Sequence, residues 1–299
     1  MTAGPDLIAP YRLRLLGLAY RMLGSRTDAD DVLQDAFIRI HGLADIANPE
    51  AYLVTTVTRL CLDRLRSAQV RRETYVGSWL PEPVLDAEVM SPHTALELAE
   101  DLSFAFMLVL ERLSPPQRAA FLLHDVFDMG FAEIAAVMDR SETSCRQLAS
   151  RARQALKAHR PASTVPVERQ GALLASFASA VSNGDVHALM ALLHEDAILL
   201  SDGGGIKLTA LNPIRGADRI ARYFVKSLRK FAGRGPALRH EARMVNGALG
   251  IVSFLANELD QVLSLYIDDN DRIAGIYLVR NPYKLRNCLV ERNLFDAQC

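Results

Sequence analysis

The sequence predicts a multidomain chain in which two all-helical domains precede a smaller α+β domain. At 299 residues it is longer than one compact core usually fills. Apolar residues recur at helical spacing as far as about residue 160. From about residue 167 the pattern turns to short apolar runs separated by tight-turn signals. These shifts set boundaries at 1–76, 77–93, 94–160 and 167–290, with a tail at 291–299.

A first helix runs from about Asp6 to Leu23 and is closed by Gly24-Ser25. Thr27-Asp28-Ala29-Asp30 opens a second, its acidic residues at the positive end of the helix dipole. The apolar positions of that helix are Val32, Leu33, Ala36, Phe37 and Ile40. Beyond a short loop, Gly42–Asn48, Pro49 suits the first turn of a third helix. This one passes through Leu53, Val57, Cys61 and Leu65 into a cluster of arginines, Arg59, Arg64, Arg66, Arg71 and Arg72. The prolines of Gly77–Pro92, among them Trp79-Leu80-Pro81-Glu82-Pro83, exclude helix and sheet interior and make an extended tether. The chain's single tryptophan lies there and is expected to dock on a domain surface. A helix over Thr94–Leu113, a break at Ser114-Pro115-Pro116 and a helix through Leu123 follow.

Phe131–Arg160 reads as two helices joined by a tight turn. Phe131, Ile134, Ala135, Val137 and Met138 carry the first. The turn lacks a glycine, so Asp139 or Arg140 must take the left-handed conformation, which Asp tolerates better than most residues. Ser141 can cap the second helix, where Cys145, Leu148, Ala149, Ala152 and Leu156 form one apolar stripe. The opposite face carries Ser144, Arg146, Gln147, Ser150, Arg151, Gln154 and Lys157, side chains that reach base edges and phosphates from a helix in the major groove. A plain amphipathic hairpin fits the same pattern, so this segment alone leaves both readings open.

In the last block, helices near Val167–Ser182 and Asp185–His194 lead to a short strand at Ala197–Ser201 and a helix at Ala217–Lys230. Runs at Arg239–Val245, Leu249–Ala256, Gln261–Ile267 and Ile273–Val279, with turns at Asn246-Gly247 and Asp268–Asp271, describe an antiparallel meander covered by those helices.

With 34 basic and 35 acidic residues the net charge is −1, so any nucleic-acid footprint is local, in the two arginine clusters. The four cysteines, Cys61, Cys145, Cys288 and Cys299, form no CxxC pair, which argues against structural zinc and a disulfide framework. Cys145, on the packing face, reads as a buried inert thiol. No apolar run suits a bilayer span and no leader is evident, so a cytoplasmic protein is expected.

Taken together, the blocks resemble a known family. Asp28–Arg39 resembles the helix by which bacterial sigma factors grip the RNA polymerase clamp. Tyr52–Arg72 is similar to the adjoining helix that melts and reads the minus-ten element, and Leu110–Arg153 to the domain that reads the minus-thirty-five element. With only these two regions, the chain resembles the extracytoplasmic-function (ECF) sigma factors. Three further signatures resemble the subgroup with a fused SnoaL-like (NTF2-like) domain, the SigJ type. They are Trp79-Leu80-Pro81-Glu82-Pro83, then Asp202-Gly203-Gly204-Gly205 with Lys207, then Asn281-Pro282-Tyr283-Lys284-Leu285. Ile206 intervenes before the lysine and Tyr283 replaces the usual acidic residue, departures that bear on fine geometry.

The resemblance implies a region 2 helical bundle, a region 4 helix-turn-helix and a cone-shaped α+β domain. It further implies an alternative sigma factor, modulated by that last domain. The implied polymerase contacts are Asp31, Gln34, Asp35, Phe37 and Arg39. Asp45, Asn48, Arg59, Arg64, Arg66, Arg71 and Arg72 would serve the minus-ten element, and Ser144, Arg146, Gln147, Ser150 and Arg151 the minus-thirty-five element. The three signatures, without Ile206 and Tyr283, form the regulatory set.

The partners implied are core RNA polymerase, through its clamp and flap surfaces, and promoter DNA. No cofactor, metal, membrane or separate anti-sigma factor is expected, and a small-molecule ligand in the C-terminal cavity stays open. SnoaL-like folds also host enzymes. Asp202, His194, Asp196, Tyr266 and His240 are catalytic candidates by type only; nothing in the sequence pairs them, so no catalytic residue is assigned. A DNA-binding repressor with a sensor domain and an enzyme joined to sigma-like remnants remain the alternatives.

Overall fold

The computed structural model describes residues 9–41, 46–85, 103–157, 165–231, 238–286 and 288, with side chains 9, 68–73 and 231 left aside. These residues fall into two compact units, one drawn from Met1–Thr74 and Ala87–Pro161, the other from Tyr75–Asp86 and Ala162–Cys299. The units do not follow the linear order of the blocks, because the tether is counted with the C-terminal domain.

The first unit is all helix: α1 (Arg12–Leu23, after a 3-10 turn at Ala9–Tyr11), α2 (Arg26–His41), α3 (Pro49–Glu73), α4 (Phe104–Glu111), α5 (Pro115–Phe121), α6 (Phe131–Met138) and α7 (Glu142–Lys157). Local chemistry sets the ends. Gly24 closes α1 in the left-handed conformation, its amide donating to Tyr20 O at 2.7 Å. The Ser25 hydroxyl accepts from the Asp28 amide at 3.0 Å, and Asn48 Oδ1 from Ala51 N at 3.0 Å, so that α2 and α3 start capped. The core of α1–α3 holds Leu15, Leu16, Tyr20, Val32, Leu33, Ile40, Leu53 and Val57.

Three arginines stitch α1–α3 to α4–α6 through main-chain carbonyls. Arg14 Nη2 donates to Phe127 O at 3.0 Å. Arg118 Nη1 donates to Met22 O at 2.5 Å and to Glu111 Oε1 at 2.7 Å. Arg59 donates to Val137 O at 3.0 Å and Ala136 O at 3.2 Å, at the carbonyl end of α6 where a cation is favoured. Burial pulls the Arg118 guanidinium down to about 10.

Between α5 and α6 the chain widens into a π-helical turn, Leu122–Val126, with Phe127 N bonded to Leu122 O. Asp139 then takes φ 52° and ψ 53° and ends α6, and the Ser141 hydroxyl accepts from Ser144 N at 3.2 Å to cap α7.

The second unit contains α8 (Val167–Ser182), α9 (Val186–Leu192), β1 (Leu193–Asp202), β2 (Ile214–Arg215), α10 (Ala217–Phe231), β3 (Arg239–Val245), β4 (Ala248–Leu255), β5 (Glu258–Ile267), β6 (Ile273–Val279) and α11 (Pro282–Leu285). The sheet order is β2-β1-β6-β5-β4-β3. The expected meander is β3 to β6, all antiparallel. β1 is longer than its apolar run and lies parallel to β6, so the sheet is mixed. Asn246-Gly247 and Ala256-Asn257 supply the two positive φ values that tight two-residue hairpins need. Phe177 of α8 meets Phe224 of α10 edge-on at 5.2 Å, over a core of Leu189, Leu199, Ile220, Leu263, Leu265 and Ile276.

The left-handed residue at the hairpin turn gives a prediction. Asp139→Val places a β-branched side chain at φ 52° and should cost roughly 1–2 kcal/mol. Asp139→Gly should be tolerated. Thermal unfolding of both variants checks this.

Candidate functional site

Asp202, at the end of β1, is completely buried and its two carboxylate oxygens receive four donors. Oδ1 accepts from the Tyr75 hydroxyl at 2.6 Å and the Gly204 amide at 3.0 Å. Oδ2 accepts from the Leu80 amide at 3.0 Å and Lys284 Nζ at 2.7 Å. Tyr75 and Leu80 belong to the tether and Lys284 to α11, so one carboxylate ties three segments together. Lys284 Nζ also donates to Leu80 O, and lies 4.2 Å from the Trp79 ring centroid and 5.2 Å from that of Tyr75. A buried ion pair is tolerated when every polar atom is used, and here it is. Burial, then the Asp202 hydrogen bond, pushes the Tyr75 phenol up.

Backbone shape brings the groups this close. Asn281 caps α11 by accepting from Tyr283 N at 3.0 Å, and its amide donates to the Tyr75 hydroxyl at 2.8 Å. A Cβ on Gly203 would stand 2.2 Å from Lys207 O, and one on Gly204 would stand 2.5 Å from the Asn281 side chain. The rest of the tether is held too. Val84 and Asn246 exchange hydrogen bonds of 2.9 and 2.8 Å, and Leu85 bridges Val245. Cys288 Sγ donates to Pro83 O at 3.3 Å; burial, then the charge of Glu82, pushes this thiol up to about 12. Leu80, Pro81, Glu82 and Pro83 are all buried.

Beside this clasp, Lys207 and Arg280 converge on Asp260 at 3.0 and 2.7 Å. Burial works against the Asp260 carboxylate, but these two cations outweigh it and hold its pKa below the usual range. Pro282 starts α11 and Leu285 is buried beneath it, while Gly205 approaches Val76 and Tyr283 is exposed.

In the helical unit, Asp31, Gln34, Asp35 and Arg39 are exposed along α2 and Phe37 is half-buried. Next to them Ile38 is 66% exposed, an apolar residue that the helical pattern left off the core. Arg64 turns to this acidic face, reaching Asp28 at 3.0 Å, Asp31 at 3.3 Å and Asp35 at 3.8 Å. Arg59 is spent on the α6 carbonyls, Arg66 pairs with Asp63 on the surface, and Asn48 caps α3. Arg71 and Arg72 lie on the last turns of α3, their side chains outside the described residues, as is Asp45.

On α7, Cys145, Ala149, Ala152 and Leu156 are buried while Arg146, Gln147, Ser150 and Arg151 are exposed; Ser144 is half-buried. Cys145 is a free thiol whose pKa burial raises. Leu148, placed on the apolar stripe, is only half-buried.

Of the catalytic candidates, Asp202 is consumed by the clasp. His194 accepts from the neighbouring Asp196 amide, and His240 is bonded to Ser253 on the adjacent strand at 2.8 Å. Burial raises the Tyr266 phenol. Among the described residues no group of three or more His, Cys, Asp or Glu side chains could hold a metal ion, and no helix is long and apolar enough to cross a membrane.

Comparison with known proteins places this geometry. The family models described as Sigma-70 region 2 and Sigma-70, region 4 match residues 7–71 and 103–156. The ECF RNA polymerase sigma factor SigJ of Mycobacterium tuberculosis is 43% identical over 91% of this chain and 90% of its own length. A probable ECF sigma factor of that species, SigI, is 31% identical over 92% of each chain. The crystal structure of M. tuberculosis SigJ superposes with a TM-score of 0.76 at 33% identity, over 96% of this chain and 100% of that one, so the match takes in the α+β domain as well as the helical regions.

The buried charges set two expected outcomes. Asp202→Ala strands the Lys284 ammonium and should cost about 3–5 kcal/mol, with cleavage in residues 75–85 appearing in limited proteolysis. For Asp260 the folded pKa is lowered. Its stabilisation is therefore complete above the ordinary carboxylate value of about 3.9 and drains as pH falls from there through the lowered one. Asp260→Asn should lower the melting temperature at neutral pH and lose less of it than the parent as the solution is acidified.

Proposed function

We infer, because this chain belongs to the extracytoplasmic-function RNA polymerase sigma factors, that its helical regions dock on core RNA polymerase and promoter DNA under the control of its own C-terminal domain. As a member of that family it is an alternative sigma factor that directs transcription. The family is non-enzymatic, and the long match to SigJ points to a regulator and not a catalyst. Neither a free-standing repressor nor an enzyme is favoured.

The exposed face of α2, with Asp31, Gln34, Asp35, Ile38 and Arg39 around half-buried Phe37, has the mixed character of a protein contact and is assigned to the polymerase clamp. The flap takes the second helical region. The exposed row of α7, Arg146, Gln147, Ser150 and Arg151, is assigned to base edges and phosphates of the minus-thirty-five element, with half-buried Ser144 at its edge. Asn48 and the arginines of α3 serve the minus-ten element, where backbone contacts give salt-dependent affinity. Arg59 and Arg64 reach DNA only by giving up their present partners.

Control rests on one observation: the tether between the two sigma regions is bound by the C-terminal domain, through Asp202 and Lys284. A tether held in one conformation restricts the regions at both its ends, and any partner that prefers the released tether shifts the balance by its difference in affinity. No separate anti-sigma factor is needed for such control.

In vitro transcription with core polymerase tests it. Trp79→Ala and Lys284→Met remove the cation–aromatic and ammonium contacts. Losing about 1.4 kcal/mol moves the bound-to-free ratio of the tether tenfold. Transcription should change severalfold. Unaltered transcription and unaltered proteolysis of the tether would overturn the regulatory reading.

A further inference from the structure

Among the described residues, the base-reading candidate Arg146 is held within the hairpin. Its guanidinium carbon lies 4.7 Å from the centroid of the Phe131 ring, and Nη2 pairs with Glu142 one turn earlier. Phe131, the first residue of α6, is itself packed against the His124 ring, with centroids 4.1 Å apart and planes 36° apart. His124 sits in the π-helical turn, and its Nδ1 lies 2.9 Å from Met129 O. A carbonyl can only accept, so Nδ1 carries the proton and the imidazole is fixed in one orientation. A chain of contacts thus runs from the main chain of the α5–α6 connection to the recognition helix.

We propose that Phe131 is a positioning residue for promoter recognition, its ring holding the Arg146 guanidinium for a base edge in the minus-thirty-five element. The inference rests on the reading of Arg146 as a base contact. Long arginine side chains lose rotamer freedom on binding, so a side chain held beforehand gives up less. The ring contact uses no N–H that the structure shows bonded, and the Glu142 pair uses one terminal nitrogen. The other N–H groups are left for the paired acceptors of a guanine, O6 and N7. Gln147 and Arg151, equally exposed, are assigned no such role. Glu142 is an ordinary i,i+4 partner, worth little in water. The ring, packed on His124, supplies direction.

Full-length chain with core RNA polymerase first selects a minus-thirty-five sequence from randomised duplex DNA. Each position of that sequence is then changed singly, and relative binding is measured for the parent, Arg146→Ala, Phe131→Met and Phe131→Tyr. Arg146→Ala should flatten one position, by roughly 5- to 150-fold. Phe131→Met, which keeps apolar bulk without a π face, should reduce preference at that same position by roughly two- to fivefold and leave the others unchanged. Phe131→Tyr should restore it.

Phe131→Met weakening every position equally, or sparing the Arg146 position, would overturn the proposal while leaving the base contact standing. Arg146→Ala flattening no position would remove the base contact and the proposal with it. If Phe131→Met unfolds the hairpin, seen as lost helical signal, Phe131→Leu replaces it. Its expected result is the same loss at the Arg146 position, and no loss there counts against the proposal.

Discussion

The carboxylate of Asp202 is the constraint on which the arrangement of the C-terminal unit depends. It is buried without access to water, which is costly unless each lone pair is met. Four donors meet them, from Tyr75, Leu80, Gly204 and Lys284. Two lie on the tether, one on the glycine loop after β1 and one on the short helix after β6. The parallel pairing of β1 with β6 sets Asp202 beside Val279 at the strand end, and so brings the glycine loop and α11 to the same corner. None of these segments would hold its place by apolar burial alone. Among its described residues the tether has no ladder beyond the bridge at Leu85, and α11 is one turn long.

The helical unit uses a different device. Its two halves are pinned where arginines from one half reach main-chain carbonyls of the other: Arg14 to Phe127, Arg118 to Met22, Arg59 to Val137 and Ala136. Carbonyl acceptors at helix ends are lone pairs left over by helix geometry, so these bonds satisfy groups that would otherwise need water. Salt screens exposed ion pairs more than buried bonds of this kind.

Much of this was legible in the sequence, and the limits have physical causes. Helical periodicity placed α2, α3, α6, α7 and α8 to within a few residues because one face of each is buried. The glycine-free turn left Asp139 or Arg140 to take a positive φ, and it is Asp139, the residue type that tolerates it better, that does. The three signatures were visible as separate segments, but not that a single carboxylate joins them. Periodicity carries no information on which strand a short apolar run pairs with, so β1 beside β6 could not be read. Tyr75, one residue inside the boundary drawn at 76, and Asp260, near the start of β5, went unmarked. With Glu258 and Gln261 close by, Asp260 sits among polar residues and no local pattern sets it apart. The facing partners of Arg59 and Arg64 are tertiary facts with no local trace.

The tether has a consequence for how the chain is made. Leu80 and its anchor Lys284 are 204 residues apart in sequence. At roughly 5–20 residues per second, a ribosome needs on the order of 10–40 s to cover that distance. Through that interval the region 2 helices have been synthesised, and region 4 and then Asp202 follow them out of the ribosome, while Lys284 does not yet exist. A nascent chain is thus a different molecule from the finished one: its helical regions can fold with the tether untied, and translation itself closes the clasp last.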